Sequence, residues 1–68
     1  MIVSEKEALH NLYNCEQQYE WGQLTRDTFK TKLEYFLGVL SGYNYDRAES
    51  ECKRLNQKYG FDLEFEDD

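Results

Sequence analysis

The sequence contains no proline and only four glycines, one histidine and two cysteines among its 68 residues. In the absence of proline, glycine is the residue in this chain that favours helix ends. No apolar run exceeds three residues, whereas a membrane-spanning helix needs about 20. The first residues, MIVSEKEAL, have no basic region followed by an apolar stretch, so we expect no signal peptide and a cytoplasmic location.

The short chain limits the size of any hydrophobic core. A single domain of this length buries only about 60% of the surface of its unfolded chain. Hydrophobic residues make up 40% of the sequence and aromatic residues 16%, which is too apolar for a disordered chain. We therefore expect one folded domain that is very well packed or is helped by self-association or a partner.

Few residues are suited to catalysis or to metal binding. Cys15 and Cys52 are 37 residues apart and have no second pair beside them, so we predict no zinc site and two reduced, buried thiols. A disulfide between the first and third helices is the alternative. His10 lies opposite the apolar face that carries Cys15, so we expect it to be exposed. No phosphate-binding loop occurs, and we predict no enzyme activity, no cofactor and no metal.

Capping signals predict three helices, over residues of about 5–21, 26–41 and 45–59. The predicted N-caps are Ser4, Thr25 and Asn44, and the predicted stops are Gly22, Gly42 and Gly60. Ser4 also forms a capping box with Glu7, and Val3 can pack on Ala8. We expect the second helix to continue through Gly38.

Apolar or weakly polar residues follow each cap by 4, 8, 11 and 15 residues, a spacing that places them on one face of a helix. These residues are Ala8, Leu12, Cys15 and Tyr19; Phe29, Leu33, Phe36 and Leu40; and Ala48, Cys52, Leu55 and Tyr59. The pattern predicts an all-α fold, a small antiparallel three-helix bundle over residues 1–61 followed by an extended acidic C-terminal tail over 62–68.

The stretch GQLTRDTF, residues 22–29, resembles the G-x-I-T-x-E-E-F turn of the SHOCT-type short helical domains. The resemblance covers eight residues, and Thr28 stands where that family prefers an acid. A glycine turn, a threonine cap and a hydrophobic staple produce such a pattern on physical grounds. It therefore implies a helix start and no function.

Charged side chains are spread evenly over the three helices. Glu16 and Glu20 are four residues apart, and so are the pairs Lys30–Glu34 and Glu49–Lys53. Such spacing favours solvated helix faces and weak ion pairs. Arg47, Arg54 and Lys58 line one side of the third helix, but Glu51 interrupts them, so we predict no direct nucleic-acid binding.

The net charge of −6 is concentrated at the C-terminus. Residues 1–61 carry nine acidic and eight basic side chains, so the remaining five acids belong to residues 62–68. In FDLEFEDD, Phe61, Leu63 and Phe65 alternate with acids, as in a strand. The segment could pair with residues 2–3, lie across the helices or stay without contacts. Its carboxylates would recur about every 6.6 Å and could imitate a nucleic-acid backbone.

Several aromatic residues lie off the three core stripes, and aromatic side chains are typical anchors of protein interfaces. Together with acids of the tail they form the predicted partner-binding set: Tyr13, Trp21, Tyr35, Tyr43, Tyr45, Asp62, Glu64 and Glu66. We expect a non-enzymatic protein-interaction module, a small inhibitor or modulator of bacterial or phage type that binds a larger protein. The alternatives are a nucleic-acid mimic that blocks a basic groove and a structural homodimer with the second helix at its interface. No membrane partner is expected.

Overall fold

The computed structural model describes residues 4–65, which form three α-helices and no strand. Helix α1 spans Glu5–Glu20, helix α2 spans Arg26–Tyr43 and helix α3 spans Tyr45–Tyr59. The all-helical prediction is therefore confirmed for these residues. The predicted contacts of Val3 and of residues 2–3, and the predicted partner-binding residue Glu66, lie outside the described residues.

Each helix begins at the capping residue that the sequence predicts. Ser4 Oγ accepts a hydrogen bond from the backbone N–H of Glu7 at 3.2 Å. Thr25 and Asn44 accept from backbone N–H groups three residues ahead, at 3.2 and 3.1 Å. These bonds satisfy donors that a helix start otherwise leaves unpaired, so the side chains fix where the helices begin.

The predicted stop at Gly42 is wrong, because α2 continues to Tyr43. Glycine can adopt a left-handed conformation, but Gly42 remains helical, unlike Gly22 and Gly60, whose φ values are +77° and +73°. Asn44 ends the helix instead, with an extended φ of −153°, and it is also the N-cap of α3. One residue thus ends α2 and starts α3.

The hydrophobic core contains nine of the predicted stripe residues. Its buried members are Ala8, Leu12, Cys15, Phe29, Leu33, Leu37, Leu40, Ala48, Cys52, Leu55 and Leu63. Leu37 is buried where the spacing predicts Phe36, which only packs against the edge of the core. A helix has 3.6 residues per turn, so neighbouring positions compete for the same face, and here the smaller leucine occupies it.

Helix α2 packs against both other helices. Over residues 4–65 the backbones of α1 and α3 do not approach each other closely, and long side chains bridge them. At one end of the molecule, Tyr19 of α1 stacks on Phe29 of α2 with ring centroids 4.2 Å apart, and Tyr59 of α3 meets both rings edge-on. None of the three described helices is both long enough and apolar enough to cross a membrane.

Candidate functional site

The tail segment, residues 61–65, leaves α3 and returns along it. The left-handed Gly60 reverses the chain direction. Phe61 then lies beside Tyr59, Leu63 beside Cys52 and Asn56, and Phe65 beside Tyr45. Because the partners regress along α3, the segment runs back toward the start of that helix with its apolar residues facing the core. The segment thus lies against the helices, which is one of the arrangements considered from sequence, whereas a pairing with residues 2–3 falls outside the described residues.

Leu63 is the central anchor of the tail segment and is only 4% exposed. Its backbone N–H donates to Asn56 Oδ1 at 2.7 Å, and its carbonyl accepts from Asn56 Nδ2 at 3.4 Å. The Cys52 thiol donates to the same carbonyl at 3.3 Å. One asparagine side chain therefore satisfies both backbone polar groups of Leu63, as a neighbouring strand would.

At its first residue the tail segment is held by aromatic and cationic contacts. The Phe61 ring lies 5.6 Å from the Phe29 ring, measured between centroids. The Arg26 guanidinium lies over Phe61 at 4.2 Å and donates to the Tyr59 carbonyl at 3.1 Å. Arg26 thus joins the start of α2, the end of α3 and the tail segment at one point, where a cation suits a helix C-terminus.

At the other end, Phe65 separates two surface cavities. Its ring centroid is 5.6 Å from that of Tyr45. A cavity of about 390 Å³ lies on the α3 side, lined by Tyr45, Glu49, Cys52, Lys53 and residues 63–65. A second, of about 500 Å³, lies on the α2 side, lined by Thr31, Glu34, Tyr35, Glu64 and Phe65. Aromatic rings with recesses on both sides are suited to contact with another molecule.

The tail segment is held with little net free energy. Burying Leu63 stabilises the docked state by about 2 kcal/mol, and the half-buried Phe61 and Phe65 by about 1 kcal/mol each. The hydrogen bonds to Asn56 and Cys52 add about 1 kcal/mol each. Fixing five backbone residues costs about 1–2 kcal/mol per residue, which is of the same size as the sum of these contacts. We therefore expect the docked and released states to be close in free energy.

The structure leaves all five predicted aromatic contact residues exposed, but it does not bring them together. Their exposed fractions are 40% for Tyr13, 70% for Trp21, 63% for Tyr35, 49% for Tyr43 and 45% for Tyr45. Only Tyr35 and Tyr45 lie at Phe65, where they line the two cavities together with Glu64. Asp62 is exposed as well.

The other three aromatic residues have separate environments. Tyr13 accepts a hydrogen bond from Arg47 at 3.2 Å and thereby links α1 to α3. Trp21 is the C-cap of α1, in the turn that leads to α2. Tyr43 is the last residue of α2. The predicted set is therefore several separate positions, of which the face around Phe65 is the one that combines aromatic rings, recesses and a carboxylate.

Sequence reasoning missed a buried carboxylate cluster between α1 and α3. Glu16 is only 6% exposed, although the spacing predicts a solvated face. Arg54 binds its two oxygens through both terminal nitrogens, at 3.1 and 2.8 Å, and the Tyr59 hydroxyl donates to it at 3.2 Å. Lys58 approaches to 3.5 Å. We call Glu16, Arg54, Lys58 and Tyr59 the Glu16 cluster.

Burial and charge act in opposite directions on Glu16. Burial alone would raise the pKa of Glu16, but the hydrogen bonds and charge of Arg54, with the charge of Lys58, outweigh it and lower the pKa. Glu51, also buried, binds Arg54 at 3.0 Å, and its hydrogen bond joins that of Glu16 in raising the pKa of Arg54. The cluster is thus charged at neutral pH and ties α1 to α3.

The sequence carries a weak signal for this cluster. Glu16 follows Leu12 by four residues, so it borders the core stripe of α1. Arg54 and Lys58 share a side of α3, which the sequence alone suggests only as a basic group. The predicted Lys30–Glu34 pair does not form among the described residues, whereas Lys53 binds Glu49 at 3.0 Å.

The residues considered for catalysis are poorly placed for it. Cys15 and Cys52 are both buried and unbridged, as packed thiols are expected to be, and burial raises the pKa of each. His10 is exposed, as predicted. Within residues 4–65, no three His, Cys, Asp or Glu side chains are grouped so that they could hold a metal ion.

Comparison with known proteins finds no family model, no curated protein and no solved structure that matches this chain.

Proposed function

We propose that this chain is a small, non-enzymatic interaction protein, an inhibitor or modulator that binds a larger protein through the face around Phe65. The observation that carries the proposal is the grouping of Tyr35, Tyr45 and Phe65 around two surface cavities. Tyrosine and phenylalanine supply large contact areas at low entropic cost, and recesses beside them accept side chains of a partner.

The arrangement of the acids supports a limited electrostatic role. Asp62 and Glu64 are exposed on the edge of the tail segment opposite Leu63. In contrast, Glu16 and Glu51 are buried and bound to Arg54, so they are not available to a basic partner. This favours a protein partner that meets aromatic rings first and acids second, over a nucleic-acid mimic that uses the whole surface.

The proposal includes the bundle arrangement and the acidic tail as the frame for this face. The end of α1 meets the start of α2 through Tyr19 and Phe29. The starts of α1 and α3 meet through a hydrogen bond from Asn44 Nδ2 to Glu5 at 3.1 Å. We therefore infer that α2 runs antiparallel to both other helices. The described part of the acidic tail, residues 62–65, lies along α3.

A pull-down from a lysate of the native host tests the proposed face. The wild-type chain is compared with a Tyr35→Ser/Tyr45→Ser double variant and with Trp21→Ser as the matched control. Trp21 is the most exposed of the aromatic residues and is not part of either cavity. We expect the double variant to lose the captured protein and the control to retain it.

A salt series and an Asp62→Asn/Glu64→Gln variant separate the proposal from the nucleic-acid mimic. Contacts through aromatic rings depend weakly on salt, whereas binding to a basic nucleic-acid groove falls steeply as salt rises. Capture that survives the tyrosine changes but disappears with salt or with the two amide substitutions would overturn the proposal in favour of the mimic.

A further inference from the structure

We propose that the groove between α2 and α3 is a recognition site for an extended peptide, which the chain fills with its own tail segment. The partner segment would be extended, with a leucine-like residue in the central position and aromatic residues two positions to either side. This inference goes beyond the proposed function, because the peptide would take the place of the tail segment, whereas the face around Phe65 forms while the tail segment is docked.

The hydrogen bonds of Asn56 support a peptide site. An asparagine amide has one acceptor and two donors, and here it pairs with both the N–H and the C=O of Leu63. These two groups point to the same side only when the backbone is extended. They also belong to every residue except proline, so this contact would accept any extended segment and not only the chain's own.

The side-chain contacts supply the selectivity. Leu63 enters a closed site among buried residues, whereas Phe61 and Phe65 are half-buried at the two ends. Asp62 and Glu64 face solvent. The groove thus distinguishes the first, third and fifth residues of a segment and leaves the second and fourth free, as expected for recognition of an extended chain by alternate side chains.

The small net free energy of docking makes replacement feasible. The tail segment is covalently attached, so it competes at a high effective concentration, and a free peptide meets that competition in the wild-type chain. A substitution that weakens docking of the tail segment, without changing a residue of the groove, should remove this competition. The prediction is therefore an increase in peptide binding when the chain's own anchor is damaged.

Fluorescence anisotropy with a labelled FDLEFEDD peptide tests this on the full-length chain. The Leu63→Ser variant should bind the peptide about two- to sixfold more tightly than the wild type, because the tail segment fills the wild-type groove for only part of the time. A peptide with serine in place of its leucine, FDSEFEDD, should bind that variant at least tenfold more weakly. Adding Asn56→Ala to Leu63→Ser should abolish binding, whereas adding Gln57→Ala, at an exposed neighbour, should not.

Circular dichroism checks that each variant is helical, and Phe65→Ser is a milder second variant that should increase peptide binding by a smaller factor than Leu63→Ser. Equal binding by wild type and both variants, or equal binding of the two peptides, would overturn the proposal. The proposal would also be overturned if the wild type were a dimer in which each chain docks its tail segment on the other, and if this dimer bound the peptide as tightly as Leu63→Ser does. The titration uses no native partner, so it can fail while the pull-down succeeds, and the reverse.

Discussion

The Glu16 cluster and the tail segment make two different kinds of attachment. The cluster joins α1 to α3 by charge, whereas the tail segment is attached to α2 and α3 mainly by apolar burial. Between α1 and α3, Arg54 binds a buried carboxylate through two nitrogens. Along α2 and α3, the tail segment is held mainly by the burial of Leu63 and the hydrogen bonds of Asn56. Loss of Arg54 would be costly, because Glu16 would remain buried without its main partner. Release of the tail segment leaves no buried charge, because its backbone groups and Asn56 can then be hydrated.

The comparison suggests a division of roles. The buried carboxylate of Glu16 favours this arrangement of α1 and α3, because it brings Glu16 within reach of Arg54 and Tyr59. We expect the tail segment, which has no such buried charge, to be close to balance between docked and released states. The helices would then be the rigid part of the molecule, and the tail segment the part whose position changes most readily.

The largest expected effect comes from removing the main partner of Glu16. Arg54→Met should lower the free energy of unfolding by about 3 kcal/mol, because Glu16 and Glu51 remain buried with too few cationic partners. Lys53→Met is the control: its pair with Glu49 is exposed, and the loss should stay below about 0.5 kcal/mol. Urea denaturation followed by circular dichroism measures both. Equal losses of unfolding free energy in the two variants would mean that the ion pairs of Arg54 stabilise the protein no more than an exposed ion pair does.

Acid should weaken the same cluster. The pKa of Glu16 is lowered from its ordinary value of 4.5, so its stabilisation is complete above that value and is lost as the pH falls through the lower folded-state value. We expect the urea midpoint of the wild type to fall more steeply than that of Glu16→Gln below about pH 4.5. Both proteins carry the same 13 other acids, so parallel curves would assign the acid sensitivity to those acids instead.

Truncating the tail anchor should cost less than the same truncation inside the helices. Leu33→Ala should lower the free energy of unfolding by about 3 kcal/mol, as is typical of a fully buried leucine. Leu63→Ala should cost only about 1 kcal/mol, because the loss cannot exceed the small free energy of docking. Hydrogen exchange of the Leu63 amide should also become faster in that variant. A loss equal to that of Leu33→Ala would show that the tail segment belongs to the rigid part.

The smallest expected effect is a gain. Gly38 lies inside α2, and a β-carbon built there meets no atom within 4 Å in the described structure. Gly38→Ala should therefore raise the free energy of unfolding by about 0.5–1 kcal/mol, since alanine is the better helix former. Thermal unfolding measures the gain. Destabilisation that appears only at high protein concentration would indicate that a second copy approaches this glycine, as in the homodimer alternative, which stays a prediction.

Local features of the fold were predictable, and distant ones were not. The caps at Ser4, Thr25 and Asn44 depend on residues three positions apart, so the sequence reveals them. Gly42 misled because an exposed glycine is tolerated within a helix as well as at its end. Glu16 is buried because its partners Arg54 and Tyr59 lie 38 and 43 residues further along the chain, a separation that periodicity within one helix does not reach.

The same limit explains the candidate site. The alternation of Phe61, Leu63 and Phe65 predicts one apolar edge, and the structure has that edge against the helices. The exposure of Tyr35 and Tyr45 also follows from their positions off the core stripes. Tyr35 and Tyr45 both lie near Phe65 because the chain reverses at Gly60 and Asn56 binds the tail segment. The sequence does not reveal this role, because Asn56 is one of many polar residues on α3.

Asn44 makes the two connections between helices mechanically different. Between α1 and α2 the chain has five residues, 21–25, of which Gly22 and Gln23 are exposed. Between α2 and α3 it has Asn44 alone, and that residue caps both helices. Inserted residues, such as a tag or a reporter, should therefore be tolerated after Gly22. An insertion at Asn44 would separate the two caps and rotate α3, with the peptide groove, relative to α2.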